Sequence, residues 1–97
     1  MKFIDKYKSP NFNRRNNINS IEYIILHYTA MTNYMEAIEH LCSVSSKVSS
    51  HFLINKNGET YSLVDIEKRA WHAGEAFWKG DTDINSSSIG IEIDNSG

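Results

Sequence analysis

Four histidines are the residues of this sequence with the clearest capacity for chemistry, and they lie at positions 27, 40, 51 and 72. Neutral imidazole is a preferred zinc ligand and a common general base. No two of the histidines form an i, i+4 pair, and the single cysteine excludes a Cys-x-x-Cys motif. Spacing therefore leaves metal binding and ordinary structural roles open for each of them. His40 falls on the polar face of a predicted helix, where we expect it to be solvated.

Glu92 is the second candidate, because it interrupts a strand otherwise made of isoleucine and glycine. Residues 88–93 alternate strictly, so the isoleucines share one face while Gly90 and Glu92 share the other. A carboxylate in a partly desolvated cleft has a raised pKa, which suits a general base that takes a proton from water near neutral pH. Gly90 would then leave room for a substrate. The pattern fits equally well with a solvent-exposed strand face on which Glu92 is an ordinary surface residue.

Two further segments carry candidate site residues. His27 ends the β-branched and aromatic run from Ile21 to Tyr28, which predicts a central strand covered on both faces. Ligands of open α/β sheets bind at the carboxyl ends of strands, although a hydrogen-bonded core histidine is the alternative. Trp71 and His72 precede further aromatic residues and a glycine, a grouping typical of sugar and peptide platforms and equally of a core.

The order of the predicted strands and helices that carry these residues indicates an α/β domain with a mixed central sheet flanked by helices. An Asn33 and Glu36 capping pair begins a helix, and Asn57-Gly58 indicates a tight hairpin turn. The predicted order is an irregular lead-in (1–20), a strand (21–28), a helix (33–43), a serine-rich linker (43–50), a hairpin (51–64), a short extended piece (69–72), a polar loop (74–87) and a strand (88–93). With one convincing helix, an apolar face of this sheet would stay uncovered and prone to association.

Composition narrows the class of protein. Ten basic and twelve acidic residues give a net charge of -2, so no broad electrostatic attraction to nucleic acid or anionic membranes is expected. The single Cys42 cannot form an internal disulfide. The first residues have no apolar run typical of a secretion signal, and no stretch approaches the length of a membrane helix, which favours a cytoplasmic protein.

Four segments taken jointly resemble the type 2 N-acetylmuramoyl-L-alanine amidases, and in particular their AmpD-like branch. They occur in family order at family-like separations between residues 21 and 95: Ile24 to Thr29, Val48 to Ile54 with the Asn57-Gly58 turn, Lys68 to Gly74, and Asn85 to Glu92. The resemblance implies the amidase fold over residues 21–97, and hydrolysis of the amide between N-acetylmuramic acid and L-alanine of peptidoglycan or muropeptides.

The resemblance also implies roles for individual residues. His27 would be the first of three zinc ligands, and Glu92 would be the catalytic glutamate. Trp71, His72, Asn85 and His51 would line the substrate groove, with a structural role for His51 as the alternative. Ser50 stands where other branches carry a catalytic tyrosine, so the glutamate branch fits better.

The departure from the family concerns the rest of the metal site. In the family the second and third zinc ligands follow the last matching segment, so the chain is expected to be the N-terminal two-thirds of an amidase domain that binds Zn²⁺ weakly or not at all. A non-catalytic peptidoglycan-binding module and an inactive truncated fragment are the alternatives. Because peptidoglycan lies outside the inner membrane, a periplasmic or secreted location is the alternative to the cytoplasm.

Overall fold

The computed structural model describes residues 3–15, 21–29, 31, 33–73 and 83–95. Their secondary structure comprises seven strands, one α-helix and two 3₁₀ helices. The strands are β1 (Phe3–Ile4), β2 (Phe12–Asn13), β3 (Tyr23–Tyr28), β4 (Phe52–Ile54), β5 (Thr60–Ser62), β6 (Arg69–Ala70) and β7 (Ser88–Ile93). The α-helix α1 spans Tyr34–Leu41, and the 3₁₀ helices span Val44–Ser46 and Ile84–Ser87.

Five of the strands form a mixed sheet in the order β1-β5-β4-β7-β3. Strand β7 pairs in parallel with both β3 and β4, β4 pairs antiparallel with β5, and β1 pairs in parallel with β5. A separate two-stranded ribbon joins β2 and β6. The predicted α/β class with a mixed central sheet is confirmed.

Helix α1 covers one half of the sheet. Asn33 caps its first turn by accepting a hydrogen bond from the Met35 amide at 2.8 Å, as the sequence predicted. The apolar side of the helix then packs into the core cluster with β4 and β5, whose members are Ala37, Ile38, Leu41, Leu53, Tyr61 and Leu63. Each large side chain buried here contributes roughly 1.5–3 kcal/mol. No helix in the described part of the chain has the length and apolarity to cross a bilayer.

The hairpin between β4 and β5 differs from the tight turn that the sequence predicted. Its connection runs from Asn55 to Glu59, and Gly58 alone within it has a positive φ, at 82°. The Asn55 side chain organises the connection by accepting hydrogen bonds from the amides of Asn57 and Glu59, both at 3.0 Å. This side-chain turn replaces the two-residue turn that requires two positive φ angles.

Strand β3 lies at the edge of the sheet, and the prediction of a central strand covered on both faces was wrong. Its side chains alternate between partly buried and exposed, with Ile24 at 66%, Leu26 at 55% and Tyr28 at 61% exposure. The register with β7 puts these three residues on one face with the isoleucines of β7. Nothing in the described residues covers that face, which we call the open face.

The predicted irregular lead-in is partly built into the fold. Strands β1 and β2 lie within it, and Ser9, Asn11 and Arg15 are buried. Ser9 and Asn11 donate side-chain hydrogen bonds to carbonyls at Leu41, Ser43 and Val48, around the end of α1 and the linker that follows it. Local sequence gave no signal for this because the partners are more than 30 positions away.

Candidate functional site

His27 and Glu92 lie side by side on the sheet. They are direct partners in the parallel register of β3 and β7, one position before each strand ends. Partners in a parallel register point to the same face, and this is the face on which Leu53 and α1 form the core. Two groups that are separated by 65 positions in the sequence therefore meet at the carboxyl ends of neighbouring strands.

Burial changes the acid–base properties of both groups in complementary directions. Both side chains are half-buried, and loss of hydration raises the pKa of Glu92 and lowers the pKa of His27. A carboxylate with a raised pKa is a better proton acceptor, and a histidine with a lowered pKa presents a neutral imidazole. The pair thus combines a base with a nitrogen that can bind a cation.

The His72 ring completes this cluster. Its Nδ1 lies 3.1 Å from His27 Nε2, and its Nε2 lies 2.9 Å from Ser88 Oγ. Ser88 Oγ donates its own proton to the Ile84 carbonyl at 2.7 Å, so it accepts from His72 Nε2–H. This fixes the tautomer that leaves the Nδ1 lone pair facing His27. Desolvation, together with the nearby His27, lowers the pKa of His72 to about 3.

Gly90 does not leave room for a substrate, which corrects the expectation from the sequence. A Cβ atom at this position would lie 2.5 Å from His72 Cγ and 2.6 Å from its Cδ2. The imidazole of His72 therefore occupies the space above Gly90, and the glycine is required for this close approach of ring to strand.

His51 is structural, and the prediction that it lines the substrate groove is not supported. Its side chain is fully buried, and its Nδ1 accepts a hydrogen bond from the Gly90 amide at 3.0 Å. The proton must then be on Nε2, which donates to the Lys68 carbonyl at 2.8 Å. Both ring nitrogens are occupied, so His51 has none to offer a metal or a ligand. It ties β7 to the turn before β6.

Asn85 holds the backbone around His72. It is 7% exposed, and its Oδ1 accepts hydrogen bonds from the amides of His72 at 3.1 Å and Ala73 at 2.9 Å. Its side chain thus fixes the backbone that carries His72. The role of Asn85 in substrate binding stays a prediction.

Trp71 keeps a partly exposed indole beside this cluster. Its Nε1–H donates to Asn13 Oδ1 at 3.0 Å, and its amide donates to Ser49 Oγ at 2.9 Å. One hydrogen bond thus holds the indole and the other holds the backbone of Trp71, so the residue presents an oriented aromatic surface. Gly74, Phe77 and Trp78, which the sequence grouped with it, lie outside the described residues. His40 is exposed on α1, as predicted.

The described residues supply only part of a zinc site. His27 has the chemistry of a ligand, because its imidazole is neutral; its Nε2–H donates to His72 Nδ1 at 3.1 Å, so a metal ion would bind at Nε2 only in place of that proton. However, no group of three or more histidine, cysteine or acidic side chains in the described ranges is arranged to hold a metal ion. A catalytic zinc needs three protein ligands, so any further ones lie elsewhere.

Sequence reasoning missed Arg15, Asn13 and Ser88. Arg15 is 8% exposed and donates to carbonyls beside the site, Asn13 orients the Trp71 indole, and Ser88 fixes the His72 tautomer. Arg15 and Asn13 fall within the predicted irregular lead-in, because asparagine and arginine carry no periodic signal. Ser88 shares a strand face with Gly90 and Glu92, and this alternation was the one available clue.

Comparison with known proteins identifies the group to which this arrangement belongs. The sequence profile of the N-acetylmuramoyl-L-alanine amidases matches residues 17–97. N-acetylmuramoyl-L-alanine amidase AmiD of Escherichia coli is 36% identical over an alignment of 84 positions, which covers 79% of this chain and 29% of the relative. The 1,6-anhydro-N-acetylmuramyl-L-alanine amidase AmpD of Citrobacter freundii is 43% identical over 61 residues, which are 63% of this chain and 30% of the relative.

Solved structures agree with the sequence comparison. A crystal structure of AmpD superposes with a TM-score of 0.69 at 27% identity, covering 97% of this chain and 60% of AmpD. The complex of Escherichia coli AmiD with anhydro-N-acetylmuramic acid-L-Ala-D-γ-Glu-L-Lys gives a TM-score of 0.66 at 31% identity, covering 95% of this chain and 34% of AmiD. The chain therefore spans between about a third and three-fifths of the length of these proteins.

Proposed function

Because the chain belongs to the N-acetylmuramoyl-L-alanine amidase family, we propose that it forms part of a zinc-dependent amidase that hydrolyses the bond between N-acetylmuramic acid and L-alanine. The observation that carries this proposal is the direct pairing of His27 with Glu92 on one face of the sheet. Both groups stand at the carboxyl ends of their strands, where an α/β sheet binds its ligand.

Glu92 is the proposed general base. Its half-buried carboxylate has a raised pKa, so it accepts a proton from the attacking water more readily than an exposed glutamate does. The water oxygen then forms a bond to the amide carbon, and the carbon–nitrogen bond to L-alanine breaks. Glu92 passes the same proton to the departing amine, so the carboxylate is regenerated and the products are a lactyl carboxylic acid and a free amino group.

His27 is the proposed zinc ligand from this chain. Its neutral imidazole suits the ion, and the remaining ligands would come from residues outside the described ranges. When bound, zinc would polarise the scissile carbonyl and stabilise the negative charge that develops on its oxygen. With one ligand among the described residues, the 97-residue chain should hold the ion weakly.

Muropeptides are the proposed substrate class. The related AmpD proteins are named for 1,6-anhydro-N-acetylmuramyl-L-alanine, and the AmiD complex contains an anhydro-muramyl tripeptide. The partly exposed Trp71 indole offers an aromatic face suited to a sugar ring or an apolar peptide stem. His72 lies next to it and adjoins His27, so we assign these two residues to the substrate side of the cluster.

The test is substitution of Glu92 in a zinc-competent form of the protein. Glu92→Gln keeps the shape of the side chain and removes the base, so the release of L-alanine-headed peptide from a muropeptide should fall on the order of a hundredfold or more. Glu59→Gln is the matched control, because Glu59 is exposed in the β4–β5 connection and should leave turnover unchanged. Undiminished turnover in Glu92→Gln would remove Glu92 from the mechanism.

Zinc binding is measured separately by titration of the 97-residue chain. We expect weak binding that His27→Ala abolishes. Tight stoichiometric zinc that survives His27→Ala would mean that His27 is not a ligand and would overturn the proposed site.

A further inference from the structure

Arg15 is a buried cation that the proposed reaction does not use. Its side chain is 8% exposed, and its partners in the described part of the chain are mainly carbonyl oxygens. Burial and the nearby Arg69 disfavour the charged form and lower its pKa, but an arginine side chain stays protonated in proteins. A buried charge is costly unless it is fully hydrogen-bonded, so the arrangement around Arg15 has a structural or functional reason.

The guanidinium group joins two segments that are distant in sequence. Nε and Nη2 donate to the Ile66 carbonyl at 3.2 and 2.7 Å. Nη1 lies within 3.0–3.1 Å of the carbonyls of Asn85, Ser86 and Ser88. These last groups surround the end of the 3₁₀ helix Ile84–Ser87, where carbonyls lack partners within the helix. Arg15 therefore caps that helix and fastens it to the turn at Ile66.

The segment that Arg15 caps is the one that holds His72. Asn85 Oδ1 receives the amides of His72 and Ala73, and Ser88 Oγ lies 2.9 Å from His72 Nε2. The backbone and the ring of His72 are thus both held by residues whose own carbonyls bond to Arg15. His72 Nδ1 in turn lies 3.1 Å from His27 Nε2.

We propose that Arg15 is a positioning residue, which sets the His72 ring beside His27 by fixing the segment from Asn85 to Ser88. The planar guanidinium group of Arg15 donates both to the Ile66 carbonyl and to carbonyls of the Asn85–Ser88 segment, whereas a lysine ammonium provides a single point of contact. The inference rests on the proposed function because it concerns the same cluster. The test measures the geometry of the two imidazole rings and not turnover. The inference about Arg15 can therefore fail while the amidase proposal stands, and the amidase proposal can fail while the inference about Arg15 stands.

The experiment compares Arg15→Lys and Arg15→Ala with two controls in the 97-residue chain. Arg14→Ala removes a neighbouring exposed arginine, and Ile38→Val weakens the core under α1 without touching the Arg15 contacts. Two-dimensional NMR of the imidazole nitrogens reports the His72 tautomer, and the nuclear Overhauser effect between the His27 and His72 rings reports their separation.

We expect both Arg15 variants to lose the fixed His72 tautomer and to show at least a twofold weaker ring-to-ring effect. Both controls should keep the wild-type pattern, although Ile38→Val unfolds at a lower urea concentration. A folded Arg15→Lys with the wild-type His72 signals would overturn the proposal.

Hydrogen exchange in the wild-type chain provides a measurement that does not depend on whether a variant folds. The amides of His72 and Ala73 should exchange at the same opening rate as the Arg15 Nη1 protons, because all of them are released when the Asn85–Ser88 segment moves. Exchange of the two amides at least tenfold faster than that of Arg15 would show that His72 moves independently, and would also overturn the proposal.

Discussion

Replacing Gly90 with alanine should displace the His72 ring, and the size of the effect can be worked out from the structure. The new Cβ would lie 2.5 Å from His72 Cγ, whereas non-bonded carbons settle at about 3.5–4.0 Å. The ring must therefore move by about 1 Å or more. Such a movement stretches its contacts with Ser88 at 2.9 Å and with His27 at 3.1 Å beyond normal hydrogen-bond length.

The free energy follows from the same contact. Forcing an extra methyl group into a packed site costs about 1–3 kcal/mol. In a His72→Ala background the ring is gone, and alanine stabilises a strand by about 0.5–1 kcal/mol relative to glycine. Because this difference between alanine and glycine is the same in both backgrounds, it cancels, and the coupling between the two substitutions should be about 1–3 kcal/mol.

The assay is urea unfolding of four proteins at pH 7: wild type, Gly90→Ala, His72→Ala and the double variant. Gly58→Ala provides the matched control, since Gly58 has a φ of 82° and an added Cβ there would have no atom within 4 Å. It should lower stability through backbone strain, equally in both backgrounds. If Gly90→Ala costs the same with and without the His72 ring, the packing of that ring on Gly90 is refuted.

Two more predictions concern pH and the open face. The unfolded state binds a proton at His72 near its ordinary pKa of 6.5, whereas the folded state does so only at about 3, so stability should fall as pH drops between these values. The raised pKa of Glu92 makes stability rise as pH drops, which is the opposite effect. The contribution of His72 is therefore measured as the difference in urea midpoint between wild type and His72→Gln at pH 7, 5 and 4. A difference that stays constant with pH would contradict the burial of the His72 ring. On the open face, Leu26→Lys should reduce self-association in sedimentation velocity and change stability by less than about 0.5 kcal/mol. Val44→Lys replaces an exposed valine outside the sheet and should leave association unchanged; equal effects of the two lysines would argue against the open face as the contact.

The predictions from sequence succeeded where the signal was local. The capped helix and the alternation of β7 depend on neighbouring residues, and both are present in the structure. The length of the β4–β5 connection was missed because Asn55 bonds across it, which no dipeptide signal conveys. The edge position of β3 was missed because an apolar run indicates burial without showing what covers each face.

The candidate site was predictable in its composition and less so in its geometry. His27 and Glu92 were singled out from strand patterns and from the family resemblance, and they are register partners in the structure. The burial of His51 and Asn85 depends on hydrogen bonds to residues 12 to 39 positions away, so their indirect roles could not be read locally. The same reasoning applies to Arg15, whose partners lie 36 to 73 positions further along the chain.

The strand order has a consequence for how the cluster assembles. In the described sheet β3 pairs only with β7, and β7 follows β4 in the chain although it lies between β3 and β4 in the sheet. Until β7 is in place, the strand that bears His27 lacks the strand with which it pairs in the described sheet, and its edge is prone to aggregate. Closing that long loop is a slow, late event during folding, so the two reactive groups come together in the same step that docks the first half of the chain onto the second.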